Sequence, residues 1–172
     1  MAPLIKHCGQ EFDVGHLDQH IETCTWKGAE GDFSCLVKIR YSDHCYSFED
    51  DGSPQPENAH IFKDRKGQPR VFCPTRHIHS WELPGILKGL CSKPTHPVAL
   101  TPEYNWTIFR LMMPSPLEKD EKFWVFFRLK LASGTFGKPS EVDLFVESAY
   151  PRKDRPILTG KRSMFGRTLE EL

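Results

Sequence analysis

The chain predicts an α+β fold, an antiparallel β-meander with one or two packed helices. Three observations predict it. Segments 104–113, 122–132 and 141–150 are strand-patterned, and the loops between them are short enough for antiparallel neighbours. Segment 33–41 alternates Cys35, Val37 and Ile39 with Leu36, Lys38 and Arg40, the period of a further strand. Residues 81–91 instead repeat Trp81, Ile86, Leu87 and Leu90 at helical spacing. A sheet and a helix that each carry one apolar face bury them against each other in two layers.

Taken in order, residues 14–24 (V-G-H-L-D-Q-H-I-E-T-C) read as a short helix. Asp13 is its N-cap, and Leu17, His20, Ile21 and Cys24 lie on one face. Gly28 and Gly31 then break the chain before the strand at 33–41, which is expected to continue over 45–49. Residues 50–60 form an acidic, proline-containing loop. A short strand at 60–63 and a K-G-Q-P turn at 66–69 suggest a hairpin into 70–73. Ser80 is placed to cap the helix at 81–91, with Pro84 tolerated in its first turn. The stretch S-K-P-T-H-P at 92–97 ends that helix. In the strand at 122–132, Phe123, Val125, Phe127, Leu129 and Leu131 point one way; in the last, Val142, Leu144, Val146, Ser148 and Tyr150 share a face. Three units follow: an N-terminal helical arm over 1–32, an α+β core over 33–155 and a basic, irregular tail over 156–172.

Composition bounds the function more loosely. A length of 172 residues is one domain by default and buries a core without staples. Net charge is zero, but residues 1–60 hold four Lys/Arg against eleven Asp/Glu, and residues 61–172 hold nineteen against twelve. The basic second half suits an anionic partner, or simply faces the acidic half. The N-terminus has neither the apolar stretch nor the cleavage-like site of a signal peptide. No run of about 18 apolar residues would span a membrane. The expectation is a cytoplasmic chain with its six cysteines reduced.

Chemistry concentrates in two polar clusters. In Y-S-D-H-C (41–45), His44 sits at a strand end beside Asp43, and imidazole suits proton transfer near neutrality. Its plain alternative is a histidine bonded to backbone; a Cys45–His44 nucleophilic pair is disfavoured because strand neighbours face opposite ways. The second cluster is R-V-F-C-P-T-R-H-I-H-S (70–80). Arg70, Arg76, His77 and His79 there could grip phosphate, or pair with the acidic loop. Ser148, Tyr150 and Arg152 close the last strand near the same edge. Trp124, Phe126, Arg128 and Lys130 alternate on one strand face, either a nucleic-acid surface or a second core face with snorkelling stems. Cys8, His16, His20 and Cys24 raise the question of zinc, although their spacing matches none of the strong ligand patterns.

The order of parts, a helix led by Arg and His, then T-I-F-R-L, K-F-W-V-F-F-R-L-K-L and V-D-L-F-V-E-S-A-Y-P-R-K, resembles small ribonuclease toxins of the RelE/ParE and barnase–EndoU–colicin type. Y-S-D-H-C followed by F-C-x-x-R is also similar to bacterial and prophage stationary-phase growth-adaptation proteins. The resemblance covers about 35–155. It implies a small ribonuclease-toxin fold and metal-independent endoribonuclease activity. His44 would be general base or acid, Arg76 would stabilise the phosphorane, and Tyr150 with Ser148 would orient the scissile phosphate. Arg70, His77, Arg128, Lys130 and Arg152 would bind RNA. That reading needs no cofactor and no metal. Its partners are RNA and a cognate antitoxin or immunity protein, with no membrane. The alternative is a non-enzymatic nucleic-acid or protein binding module holding zinc at its N-terminus.

Overall fold

The structure, a computed structural model, describes residues 4–28, 31–103, 105–110, 122–135, 138–154 and 156–172. In chain order its strands are β1 (Leu4–His7), β2 (Gln10–Asp13), β3 (His20–Gly28), β4 (Gly31–Tyr41), β5 (Ser47–Glu49), β6 (Ile61–Lys63) and β7 (Pro69–Phe72), then, after two helices, β8 (Pro97–Leu100), β9 (Trp106–Arg110), β10 (Lys122–Thr135), β11 (Lys138–Arg152) and β12 (Arg162–Met164). The helices are α1 (Pro74–Ser80), α2 (Leu83–Ser92) and α3 (Phe165–Glu170). Single 3-10 turns occupy Gly15–Leu17 and Asp43–Cys45.

The fold is α+β, as the pattern predicts. The main sheet has seven strands in the order β12-β8-β9-β10-β11-β4-β3. Strands β9 to β11 run as the expected antiparallel meander, and β8, which the pattern does not predict, extends it antiparallel to β9. Strand β4 departs from it by pairing with β11 in parallel, Leu36 opposite Glu141 through Tyr41 opposite Val146. One face of this sheet carries the core. Val37, Ile39, Phe123, Val125, Phe127, Val142, Leu144 and Val146 pack there against Leu83, Leu87 and Leu90 of α2 and Phe165 and Leu169 of α3. Each apolar side chain so buried contributes about 1.5–3 kcal/mol relative to exposure. A β1–β2 hairpin and a small sheet of order β5-β7-β6 complete the molecule, joined by Ile5, Val14 and Phe72.

Several expectations are corrected. No α-helix forms over 14–24: Gly15–Leu17 is a single 3-10 turn, and His20–Gly28 is β3, antiparallel to β4 from His20 opposite Ile39 to Gly28 opposite Gly31. Its inward side chains, Cys24 and Trp26, follow period two, and Ile21, Thr23 and Thr25 are β-branched residues that favour a strand. The N-terminal segment is therefore the β1–β2 hairpin followed by an edge strand of the main sheet, and not a helical arm. The strand expected over 45–49 does form, but as β5 of the small sheet. Ser80 ends α1 and does not cap α2; its Oγ donates to the carbonyl of His77 at 2.7 Å. The cap position of α2 is Glu82, without a side-chain bond, and Pro84 sits in the first turn. The tail is ordered too: β12 pairs with β8, and α3 seats Phe165 and Leu169 fully in the core. Positions 104 and 111–113 of the strand expected at 104–113 lie outside the described residues.

No described helix is long and apolar enough to cross a membrane.

Candidate functional site

The site grows from the end of β4. Ser42 stays extended, and its Oγ accepts the His44 amide at 3.1 Å, capping the 3-10 turn. That turn aims successive side chains apart. Cys45 goes into the core, fully buried, where its thiol is pushed up to about 12 chiefly by burial. His44 goes outward with its side chain 34% exposed. The two do not form a nucleophilic pair, and Cys45 stays a thiol at neutral pH.

His44 faces carboxylates from two directions. Its Nε2 lies 3.4 Å from Asp64 Oδ2 and 3.6 Å from Asp43 Oδ1. Asp64 belongs to the tight turn joining β6 to β7. Its Oδ1 accepts the amides of Lys66 at 2.8 Å and Gln68 at 2.9 Å, and Gly67 supplies the positive φ (+80°) the turn requires. These bonds, that from Gln68 first, hold the Asp64 carboxyl below its ordinary value against a smaller effect of burial. Asp64 is thus an ionised, pre-oriented acceptor aimed at the imidazole.

A groove of about 600 Å³ opens in front of this pair, between the β6–β7 turn and the face of the main sheet opposite α2 and α3. Arg65 and Lys66 come from the turn, Arg40, Tyr41 and Asp43 from the end of β4, Arg128 and Lys130 from β10, and Asp143, Phe145 and Glu147 from β11. Arg40 pairs with Asp143 at 3.3 Å and Arg128 with Glu147 at 2.7 Å. Arg65, Lys66 and Lys130 have no ion pair among the described residues. A β-bulge positions Glu147: Phe127 pairs with Val146 and Phe126 with Ser148, leaving Glu147 as the extra residue.

Arg76 lies behind His44. Its Nη1 donates to the carbonyls of Ser47 at 2.5 Å and His44 at 3.3 Å, and its guanidinium stacks 4.8 Å from the centre of the Tyr150 ring. Tyr150 stacks in turn on Phe126 at 5.7 Å. Ser148, Tyr150 and Arg152 line a second hollow of about 320 Å³, with Asn105 and Phe126. The four expected catalytic residues are therefore neighbours divided between two hollows. His44 lines the large one, Ser148 and Tyr150 the small one, and Arg76 ties them together from behind.

The expected RNA-binding residues separate as well. Arg128 and Lys130 line the groove and Arg152 the second hollow. Arg70 is only 5% exposed, with Nε on Ser47 Oγ at 2.7 Å and Nη2 on the Ser47 carbonyl at 2.9 Å. His77 is 6% exposed and donates Nε2–H to the Asp13 carbonyl at 2.7 Å. Both are internal braces and not phosphate ligands. Burial also removes Trp124 from any stacking surface, and Phe126, at the wall of the second hollow, is largely covered by Tyr150. The N-terminal Cys/His set is scattered: Cys8 is exposed, Cys24 fully buried, His16 stacked on Trp81 and His20 on Tyr41. Among the described residues no group of three or more His, Cys, Asp or Glu side chains could hold a metal ion.

Residues 4–172 match the model of the YjaZ family. The chain belongs to the YjaZ family. No curated protein and no solved structure matches it. The family match takes in β1 and α3 as well as the groove, so the N-terminal hairpin and the C-terminal helix are part of the family's own extent. Sequence reasoning missed Asp64, Arg65 and Lys66 as site residues. The stretch D-R-K-G-Q-P signals a turn and nothing more until the fold sets that turn opposite His44.

Proposed function

We propose that this YjaZ-family chain is a metal-independent endoribonuclease, acting in the cytoplasm as the growth-inhibiting toxin of a bacterial or prophage system. One observation carries the reading: a half-exposed imidazole, backed by a fixed carboxylate, at the lip of a groove whose Arg65, Lys66 and Lys130 have no ion pair among the described residues. In this reaction His44 takes the proton from a ribose 2′-hydroxyl. The 2′-oxygen attacks the adjacent phosphorus, and the 5′-oxygen leaves and takes a proton from solvent, giving a 2′,3′-cyclic phosphate. Asp64, 3.4 Å from Nε2, orients the imidazole. Arg65, Lys66 and Lys130 neutralise the phosphate in flight. Arg76 is a positioning residue that acts through the His44 backbone, while Ser148, Tyr150 and Arg152 accommodate the neighbouring nucleotide. A cognate antitoxin or immunity protein would cover the groove.

The test is incubation of wild type and His44→Ala with total RNA in EDTA. Wild type is expected to cleave, with the variant slowed about 10²-fold or more. Equal cleavage by both, or none by wild type, overturns the reading. A second reading, a non-enzymatic nucleic-acid or protein binding module, draws support from the Arg40–Asp143 and Arg128–Glu147 pairs, which leave the groove close to charge balance. Absence of cleavage with retained binding would select it.

A further inference from the structure

The strand register assembles something the linear sequence does not display. On the face opposite α2 and α3, Phe145 of β11 lies opposite Arg40 of β4 on one side and Arg128 of β10 on the other. One step along, Asp143 lies between Lys38 and Lys130 in the same way. Residues two apart on a strand share a face, so these are adjacent rows of one surface. The upper row is cation, aromatic, cation, and the lower is cation, carboxylate, cation. Phe145 is only half-buried and reaches the groove, with the Arg40 guanidinium 5.9 Å from its ring centre.

We propose that this face is a docking platform for single-stranded RNA, with one base stacked on Phe145 and the flanking phosphates on Lys38, Lys130 and the two arginines. An aromatic ring framed by cations suits a polynucleotide, because the base meets the ring face and the backbone charges fall to either side. Asp143 and Glu147 keep Arg40 and Arg128 upright, since each pairs with one of them. A duplex, whose bases are already stacked, could not use Phe145. The inference deepens the ribonuclease reading by naming its substrate as unpaired RNA delivered across the sheet to His44. As a binding statement it can be judged without any cleavage.

The experiment is fluorescence anisotropy with a labelled 2′-O-methyl RNA oligonucleotide, which lacks the attacking hydroxyl and cannot be cut. Wild type is compared with Phe145→Leu, Phe145→Trp, Lys130→Ala and, as a charge control on the opposite face, Lys88→Ala. Phe145→Leu keeps apolar bulk and loses the aromatic face, so binding should weaken roughly tenfold, while Phe145→Trp retains it. Lys130→Ala should reduce the salt dependence by about one counterion, and Lys88→Ala should change nothing. Binding indifferent to Phe145→Leu, preference for duplex or for single-stranded DNA, or no binding by wild type overturns the platform. Phe145-dependent binding without cleavage of natural RNA would leave the platform standing and remove the nuclease.

Discussion

His44 and Asp64 meet at 3.4 Å from elements of different sheets, the first from the turn that ends β4 and the second from the turn between β6 and β7. The alignment of the imidazole thus depends on how the small sheet is held. Asp64→Ala removes the acceptor for the Lys66 and Gln68 amides as well as the partner of His44. Because the folded carboxyl titrates below its ordinary value, its stabilisation is complete above about pH 4 and is lost as pH falls through the lowered value. Thermal melts should show wild type above Asp64→Ala at pH 6, with the gap closing in strong acid. A gap that persists unchanged there would show that the carboxylate charge is not what holds the turn.

A second pH dependence comes from His16. Burial, followed by the neighbouring His77, lowers this imidazole to about 4. Its Nε2 bonds Ser80 Oγ at 2.7 Å, and since that hydroxyl already donates to the His77 carbonyl, His16 is the donor. Its Nδ1 is buried with no hydrogen-bond partner among the described residues, and the opposing pull of Asp13 is smaller than the effects of burial and of His77. The unfolded imidazole binds protons near pH 6.5, so stability is full above that value and declines as pH falls toward about 4. Urea midpoints should drop across this window in wild type and change less in His16→Gln. Equal slopes would exclude His16 as the source.

Gly166 lets α3 sit flat on β3. A Cβ there would fall 2.8 Å from Trp26 Cγ and 3.1 Å from the Pro94 Cβ, both rigid neighbours. Gly166→Ala should destabilise by about 1–3 kcal/mol, despite the better helix propensity of alanine. Denaturant titration measures this, and a stabilised variant would mean that α3 is not packed as described.

The β1–β2 turn holds Cys8 at φ +50° and Gly9 at φ +79°. Two consecutive positive φ values define the hairpin turn that favours Asn-Gly. Cysteine is a poor occupant of the first position, so Cys8→Asn should raise stability by up to about 1 kcal/mol, read as a higher melting temperature. A fall would imply that the thiol makes a compensating contact.

Strand β4, the core of β10 and the first half of β11 are legible in the sequence because their alternation is strict: Val37 and Ile39, Phe123, Val125 and Phe127, and Val142, Leu144 and Val146 all point inward, whereas past the Glu147 bulge Ala149 takes that face and Ser148 and Tyr150 leave it. β3 is not, since Leu17, His20, Ile21 and Cys24 also satisfy helical spacing over a short window, and only pairing with β4 decides between the periods. His44 can be picked out by its place where an apolar strand runs out. Its partner Asp64 cannot, being twenty residues away in a stretch whose only local signal is a turn. Arg70 and Arg76 look alike in sequence. Burial separates them, making one a brace of Ser47 and the other a clamp on the His44 carbonyl. Phe145 carries no signal until the register sets an arginine on either side of it.

The parallel pairing of β4 with β11 has a consequence for how the chain reaches this state. During synthesis β3 and β4 emerge early and can close their hairpin, but the other edge of β4 waits for a strand made only after most of the chain has left the ribosome. Until β11 arrives, Val37 and Ile39 have no neighbour on that side, and the edge is open to pairing with another nascent copy. Folding is therefore expected to be slow, and the groove, which draws on β4, β10 and β11 together, cannot exist before β11 is in place. Any fragment that stops short of β11 would retain the His44 turn and lack the surface it faces.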